Sequence, residues 1–195
     1  PRYEHRYWLR AAIPLGVFSA VTLVNKQVDI LMLGALTDTA AVGIYRVAVQ
    51  ASLLLTVSIQ AVEMAIAPRL ARLHREEDQG ALKQTLRLAL MLTTVTTLPV
   101  ALAFVLWGGT VVELTFGQAY GHAALPLAVL CIGYAVKVLC GPVGLLLNMS
   151  GHENRTMQWG LVAAAANIVA NLLLIPRFGM TGAAAATSLS MILWN

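Results

Sequence analysis

Charge is scarce in this chain. Asp, Glu, Lys and Arg make up 11% of its 195 residues, against about 25% in an ordinary soluble domain. A water-soluble fold with so few charges would expose broad apolar patches and aggregate. Cysteine is rarer still. Cys131 and Cys140 fall in one apolar run, on different faces of any helix, so they cannot bridge within it and act as small apolar fillers. The four histidines, His5, His74, His122 and His152, are scattered, and no CxxC, HExxH or glycine-rich phosphate loop occurs. Nothing therefore resembles a metal cage or a nucleotide site. An enzyme working at a membrane surface needs an acid or base with a positioned partner, and the largest outer loop offers only Glu113 and His122. The expectation is a protein that is not an enzyme, with no catalytic residues, no metal and no cofactor.

Apolar length is what the chain has in abundance. It is 58% hydrophobic, and its apolar residues gather into runs that reach the roughly 20 helical residues needed to cross a bilayer. Five runs span about 8–36, 41–67, 82–107, 122–149 and 157–175, and a sixth begins near 180 and is still apolar at 195. Strand alternation is absent, and the runs far exceed the ~10 residues of a barrel strand. The expected fold is all-α and transmembrane: a single membrane domain over 1–195, built as a six-helix bundle with the sixth helix truncated. The chain opens without Met and stops inside an apolar segment, so both ends are expected to be cuts in a longer protein.

The segments between spans alternate in charge. Arg2, Arg6 and Arg10 precede the first span, Arg69, Arg72, Arg75, Lys83 and Arg87 flank the second loop, and Arg155 lies in the fourth. The other side carries only Arg177. Because bases accumulate on the cytoplasmic side, the start of the chain and the second and fourth loops are expected to be cytoplasmic. The net charge of +4 is thus explained by topology. No aromatic platform interleaves the bases, so no nucleic acid partner is expected. Trp8, Trp107 and Trp159 near span ends fit an aromatic belt.

Three bases, Lys26, Arg46 and Lys137, fall inside spans. Helical spacing puts Ser19, Thr22, Lys26 and Asp29 on one face, and a charge facing lipid at mid-bilayer costs at least about 2.5 kcal/mol. That face is expected to point inward. Asp29 and Lys26 either neutralise each other as a helix pair or mark a transport pathway. The second span repeats the pattern with Ser52, Thr56, Gln60 and Glu63, and Arg46 adjoins beside Tyr45. Snorkelling is the plain reading for Arg46, and Glu63 is expected to pair with Arg69 or Arg72. The fourth span offers Tyr134, Lys137, Gly141, Gly144 and Asn148. Lys137 reads as mid-span, and Gly141, Pro142 and Gly144 as a kink. In the fifth, Gly160, Ala164, Asn167 and Asn171 share a face suited to close packing. Thr93, Thr96 and Thr97 precede Pro99 and are expected to satisfy backbone groups freed by it.

Three stretches, in order, are DILMLGALTDTAAVGIYRVAVQ at 29–50, FGQAYGHAALPLAVLCIGY at 116–134 and NIVANLLLIPRFGMTGAAAATSLS at 167–190. They resemble the polysaccharide-biosynthesis flippases of the multidrug/oligosaccharidyl-lipid/polysaccharide exporter superfamily. The resemblance implies one lobe of a two-lobe transporter in the bacterial cytoplasmic membrane, the C-terminal lobe, whose partner is the N-terminal lobe of the same full-length chain. It implies rocking of the lobes around a central cavity, through which undecaprenyl-diphosphate-linked oligosaccharide is flipped. On this basis the expected partners are membrane lipid and a lipid-linked anionic oligosaccharide. Lys26, Lys137 and Arg46 are expected to meet its head group, since ammonium and guanidinium both suit phosphate, with Asp29 as an ion-coupling or charge-pair residue. A flippase for the peptidoglycan precursor carries the same diphosphate chemistry. The rivals are an H⁺- or Na⁺-coupled drug or metabolite antiporter of the same superfamily, centred on Asp29, and a membrane scaffold that transports nothing.

Overall fold

A computed structural model describes residues 27–76, 78–141 and 153–194. All the regular structure in these residues is helical: α1 (Gln27–Leu36), α2 (Thr39–Arg75), α3 (Gln79–Phe116), a 3-10 turn at Gln118–Ala123, α4 (Ala124–Cys140) and α5 (Glu153–Trp194). Four of the helical segments are long and apolar enough to cross a membrane. This is a multi-pass helical membrane protein. Lys26, Ser19, Thr22, Pro142, Gly144 and Asn148, which carried several of the expectations above, lie outside the described residues.

Residues at the helix ends explain where the chain turns. After α1, Thr37 Oγ1 donates to Leu33 O at 2.6 Å, and Asp38 Oδ1 accepts from Ala41 N at 2.7 Å to cap α2. Asp78 does the same for α3, accepting from Ala81 N at 2.9 Å. Gly117 (φ 98°) ends α3 and Gly141 (φ 82°) ends α4, both in the left-handed region. The rest of the kink expected at Gly141, Pro142 and Gly144 lies outside the described residues. α5 breaks at Gly179 (φ 56°, ψ −131°), just after Pro176. The chain folds back there: Gly182 lies against the backbone of Leu174 and Ile175, and Gly160 lies against the Trp194 indole. A side chain at Gly182 would meet the Leu174 carbonyl, so only glycine allows the two arms to approach this closely.

α2 and α3 form a long antiparallel pair, α2 ending in a turn at Glu76. With 37 and 38 residues, each is about 55 Å long, well past the ~30 Å of hydrocarbon. They outrun the spans expected at 41–67 and 82–107, because polar and charged residues near their ends remain helical. α4 lies against α2, α3 and α5 and is the most enclosed span, 44% buried where the other three are 28%. The contact stripe of α3 is made of small and hydroxylated residues at steps of three and four: Thr85, Ala89, Thr93, Thr97, Ala101 and Gly108 among them. Small side chains let helices pack closely where lipid is as apolar as leucine. α4 and α5 meet more closely still. A Cβ on Gly133 would stand 2.9 Å from Ser188 Cα, and Ser188 Oγ donates to Val129 O at 2.9 Å.

Two cores result. The larger joins Leu33, Tyr45, Leu55, Leu127, Leu130 and Ile175 from α1, α2, α4 and α5, with Phe104 and Val112 from α3. A smaller one, Ile66, Leu70, Leu73, Leu82 and Ala89, is drawn among the described residues from the α2–α3 pair. Leucines and valines such as Leu54, Val57, Val95 and Leu102 point outward, where hydrocarbon receives them. The threonines before Pro99 behave differently from expectation. Thr93 donates to Ala89 O and Leu90 O, and Thr96 to Leu92 O and Thr93 O. These two fold back on their own preceding turns, as threonine does in a helix, Thr97 Oγ1 is buried without a partner, and none reaches the Val95 carbonyl that Pro99 leaves without its donor.

Candidate functional site

Asp29 lies on the α1 face that packs against α2, where it is 5% exposed. Its carboxylate collects donors from three places. Tyr45 Oη donates to Oδ2 at 2.7 Å, Thr187 Oγ1 donates to the same oxygen at 3.2 Å, and Ile30 N donates to Oδ1 at 2.9 Å. The α1–α2 hairpin brings Tyr45 to Asp29, and the returning arm of α5 brings Thr187. Tyr134 of α4 stands nearby beside Ser52 of α2. One carboxylate thus gathers hydroxyls from α2 and α5, with a further phenol from α4 close by. A buried carboxyl without partners would be very costly; hydroxyl donors offset that cost without adding charge. No ion pair to Asp29 forms among the described residues.

A second polar element lies in the first arm of α5. Asn171 Nδ2 donates to Asn167 Oδ1 at 3.0 Å, and both residues are buried. This is the small-residue face read from the sequence, with Ala164 also buried.

The third is a cleft among α2, α3 and α4, lined by Ile59, Glu63, Ile66, Thr93, Lys137 and Gly141 with their neighbours. Its volume of about 10 Å³ is room for roughly one water. Glu63 and Lys137 both face it, yet they form no ion pair within 4.0 Å. The pairing expected between Glu63 and Arg69 or Arg72 is absent: Arg72 pairs with Glu76 at 3.7 Å, on an exposed surface. Arg72 is one helical turn from Glu76 and more than two from Glu63, so the nearer carboxylate wins. Lys137 is expected at the middle of a span reaching 149, whose part beyond 141 lies outside the described residues. α4 stops at Cys140, which places Lys137 in the last turn, where a cation favours the negative end of the helix dipole.

Of the expected site residues, Asp29 is buried in the hydroxyl cluster and Lys137 half-buried in the cleft. Arg46 is exposed on α2, next to Tyr45 but turned away from Asp29. Lys26 is outside the described residues. The structure does not bring Arg46 and Lys137 together in one cavity. Sequence reading passed over Tyr45 and Thr187 as partners of Asp29. The signal for Tyr45 was present in the Asp-to-GxY hairpin; nothing local marked Thr187, 158 positions away. Among the described residues no His, Cys, Asp and Glu cluster could hold a metal.

The described residues thus form a helical membrane protein with a buried, hydroxyl-bound carboxylate. The sequence identifies the family. The family described as "Lipid II flippase MurJ" matches residues 4–194, and the chain belongs to it. Among curated proteins it is similar to "Probable flippase AglR" of Haloferax volcanii, 30% identical over 85% of this chain and 35% of that protein. It is also similar to "Probable low-salt glycan biosynthesis flippase Agl15" of the same organism, 24% identical over 83% of this chain and 34% of the relative. "Uncharacterized membrane protein MJ1068" of Methanocaldococcus jannaschii is 26% identical over 90% and 35%. The chain therefore spans about a third of the length of these relatives. No solved structure matches it.

Proposed function

We propose that the full-length protein flips a lipid-linked glycan across the membrane, handling a head group in which a diphosphate joins the polyprenyl carrier to the sugar. The observation that carries this reading is the family match over nearly the whole chain, and relatives named as a flippase and as a glycan biosynthesis flippase support it. The finer proposal is an undecaprenyl-diphosphate-linked oligosaccharide for polysaccharide biosynthesis in a bacterial cytoplasmic membrane, with the start of this chain cytoplasmic. In that proposal the chain is one six-helix lobe, rocking against an N-terminal lobe. Lys26, Arg46 and Lys137 are the cations offered to the diphosphate. Arg46 is already exposed; Lys137 would reach a head group only after α2 and α4 part, since its cleft holds about one water.

A second reading is favoured by Asp29. A buried carboxylate held by neutral hydroxyls and free of an ion pair among the described residues suits coupling to an H⁺ or Na⁺ gradient. Coupling could power a flippase, or an antiporter of the same superfamily. The test is depletion of the full-length protein in its host, followed by measurement of lipid-linked glycan in each leaflet. Accumulation in the inner leaflet, cured by the wild type and not by Lys137→Ala or Arg46→Ala, supports the flippase and its cations. An unchanged leaflet distribution overturns the flippase.

A further inference from the structure

The inner end of the α2–α3 pair holds charges in separate layers along the bilayer normal. On α3, Arg87 and Trp107 stand about 30 Å apart along the helix axis, the thickness of the hydrocarbon. On α2, Arg46 and Arg69 are about 35 Å apart, with Glu63 the single charge between them. Arg69 and Arg87 therefore mark the hydrocarbon edge. Arg72 and Lys83 lie one turn further on, roughly 5 Å beyond it, inside the 5–8 Å that head groups occupy on each side. All four are exposed. The acids Glu76 and Asp78 come only at the turn, further from the hydrocarbon again. Glu76 pairs with Arg72, and Asp78 caps α3 through Ala81 N. Arg69, Lys83 and Arg87 have no ion-pair partner among the described residues.

The rungs are held by their own packing. Ile66, Leu70, Leu73, Leu82 and Ala89 form a core drawn, among the described residues, from α2 and α3, so the charged layer stands on a braced two-helix post. Bases at phosphate depth with acids displaced into water fit a sheet of phosphates better than an acidic protein, which would meet the acidic turn first.

We propose that this end of the hairpin is a docking surface for anionic phospholipids of the leaflet it faces, with Arg69, Arg72, Lys83 and Arg87 contacting their phosphates in two rungs. The partner is the bulk anionic lipid, not the lipid-linked glycan; the inference requires only that α2 and α3 span the membrane, and stands apart from the flippase reading.

The test uses the purified full-length protein in nanodiscs with no glycan lipid added. Spin-labelled phosphatidylglycerol and phosphatidylcholine, each at trace level, report the immobilised fraction beside the protein. The wild type should hold phosphatidylglycerol in preference. Lys83→Gln with Arg87→Gln should lower that preference about fivefold, from the attraction of each base near a charged surface, and raising salt should lower it likewise. Lys83→Arg with Arg87→Lys should retain it, and Arg177→Gln, on the opposite side by sequence, should leave it unchanged. Equal immobilisation of the two lipids by the wild type, or a preference untouched by the Lys83/Arg87 change in a variant that elutes as the wild type does, overturns the proposal. So does a preference seen only once glycan lipid is supplied, or one transferred to an acidic soluble protein.

Discussion

The two ends of this helix bundle treat buried charge in opposite ways. On the side of the α1–α2 connection, Asp29 is sealed among Tyr45, Thr187 and the backbone of Ile30, inside the larger core. Toward the α2–α3 turn, Glu63 and Lys137 share a cleft without touching as an ion pair, and beyond them the bases are in the open. A carboxylate with hydroxyl partners from other helices is fixed in place. Opposite charges that line one cleft without an ion pair remain free to close, separate or take another partner. The lesson is that intramembrane charge is tolerated by two different means, and only the second leaves the charge available.

The comparison breaks most sharply at Asp29. Asp29→Ala removes the acceptor for two hydroxyls, leaving buried donors that cost about 1–3 kcal/mol each, so a loss of several degrees in thermal midpoint is expected in detergent. Tyr45→Phe takes away one donor and should lose less, about 1–2 kcal/mol. An Asp29→Ala protein as stable as the wild type would show that the cluster is not structural.

Next comes the cleft. With no ion pair within 4.0 Å, a double-mutant cycle on Glu63→Gln and Lys137→Gln should give a coupling below about 0.5 kcal/mol in stability, near the value for weak pairs. Transport, by contrast, should fall clearly with Lys137→Gln. A large stability coupling would move the cleft into the same category as the Asp29 cluster.

The smallest effect belongs to Arg72 and Glu76, an exposed helix pair at 3.7 Å. Arg72→Ala should change stability by no more than about 0.5 kcal/mol, and a larger loss measured by chemical unfolding would mean the pair is better ordered than its exposure suggests.

Much of the architecture was legible because hydrocarbon imposes it. Apolar runs pointed to membrane-crossing helices, of which four are long and apolar enough among the described residues, and the all-helical fold followed from the need to satisfy every backbone group. The gap between the runs ending at 175 and starting near 180 matched the break in α5 at Gly179, and spacing placed Asn167 and Asn171 on one buried face. The partners of Asp29 and Glu63 were harder, because periodicity fixes which residues share a face of one helix and says nothing of which helix stands opposite. Thr187 reaches Asp29 only because the α5 arms reverse, and Glu63 meets Lys137 only because α4 wedges between α2 and α3. The reach of α2 and α3 past the bilayer was hidden for another reason: hydropathy ends where lipid ends, whereas the helix continues on its own hydrogen bonds and on Leu70, Leu73 and Leu82.

The Asp29 oxygen shared by Tyr45 and Thr187 ties α1, α2 and the last arm of α5 at a single point. Mechanically it acts as a rivet: three segments far apart along the chain carry load together. Pulled from either end, they would part in one event rather than peel away in turn, and a displacement of one is handed undiminished to the other two.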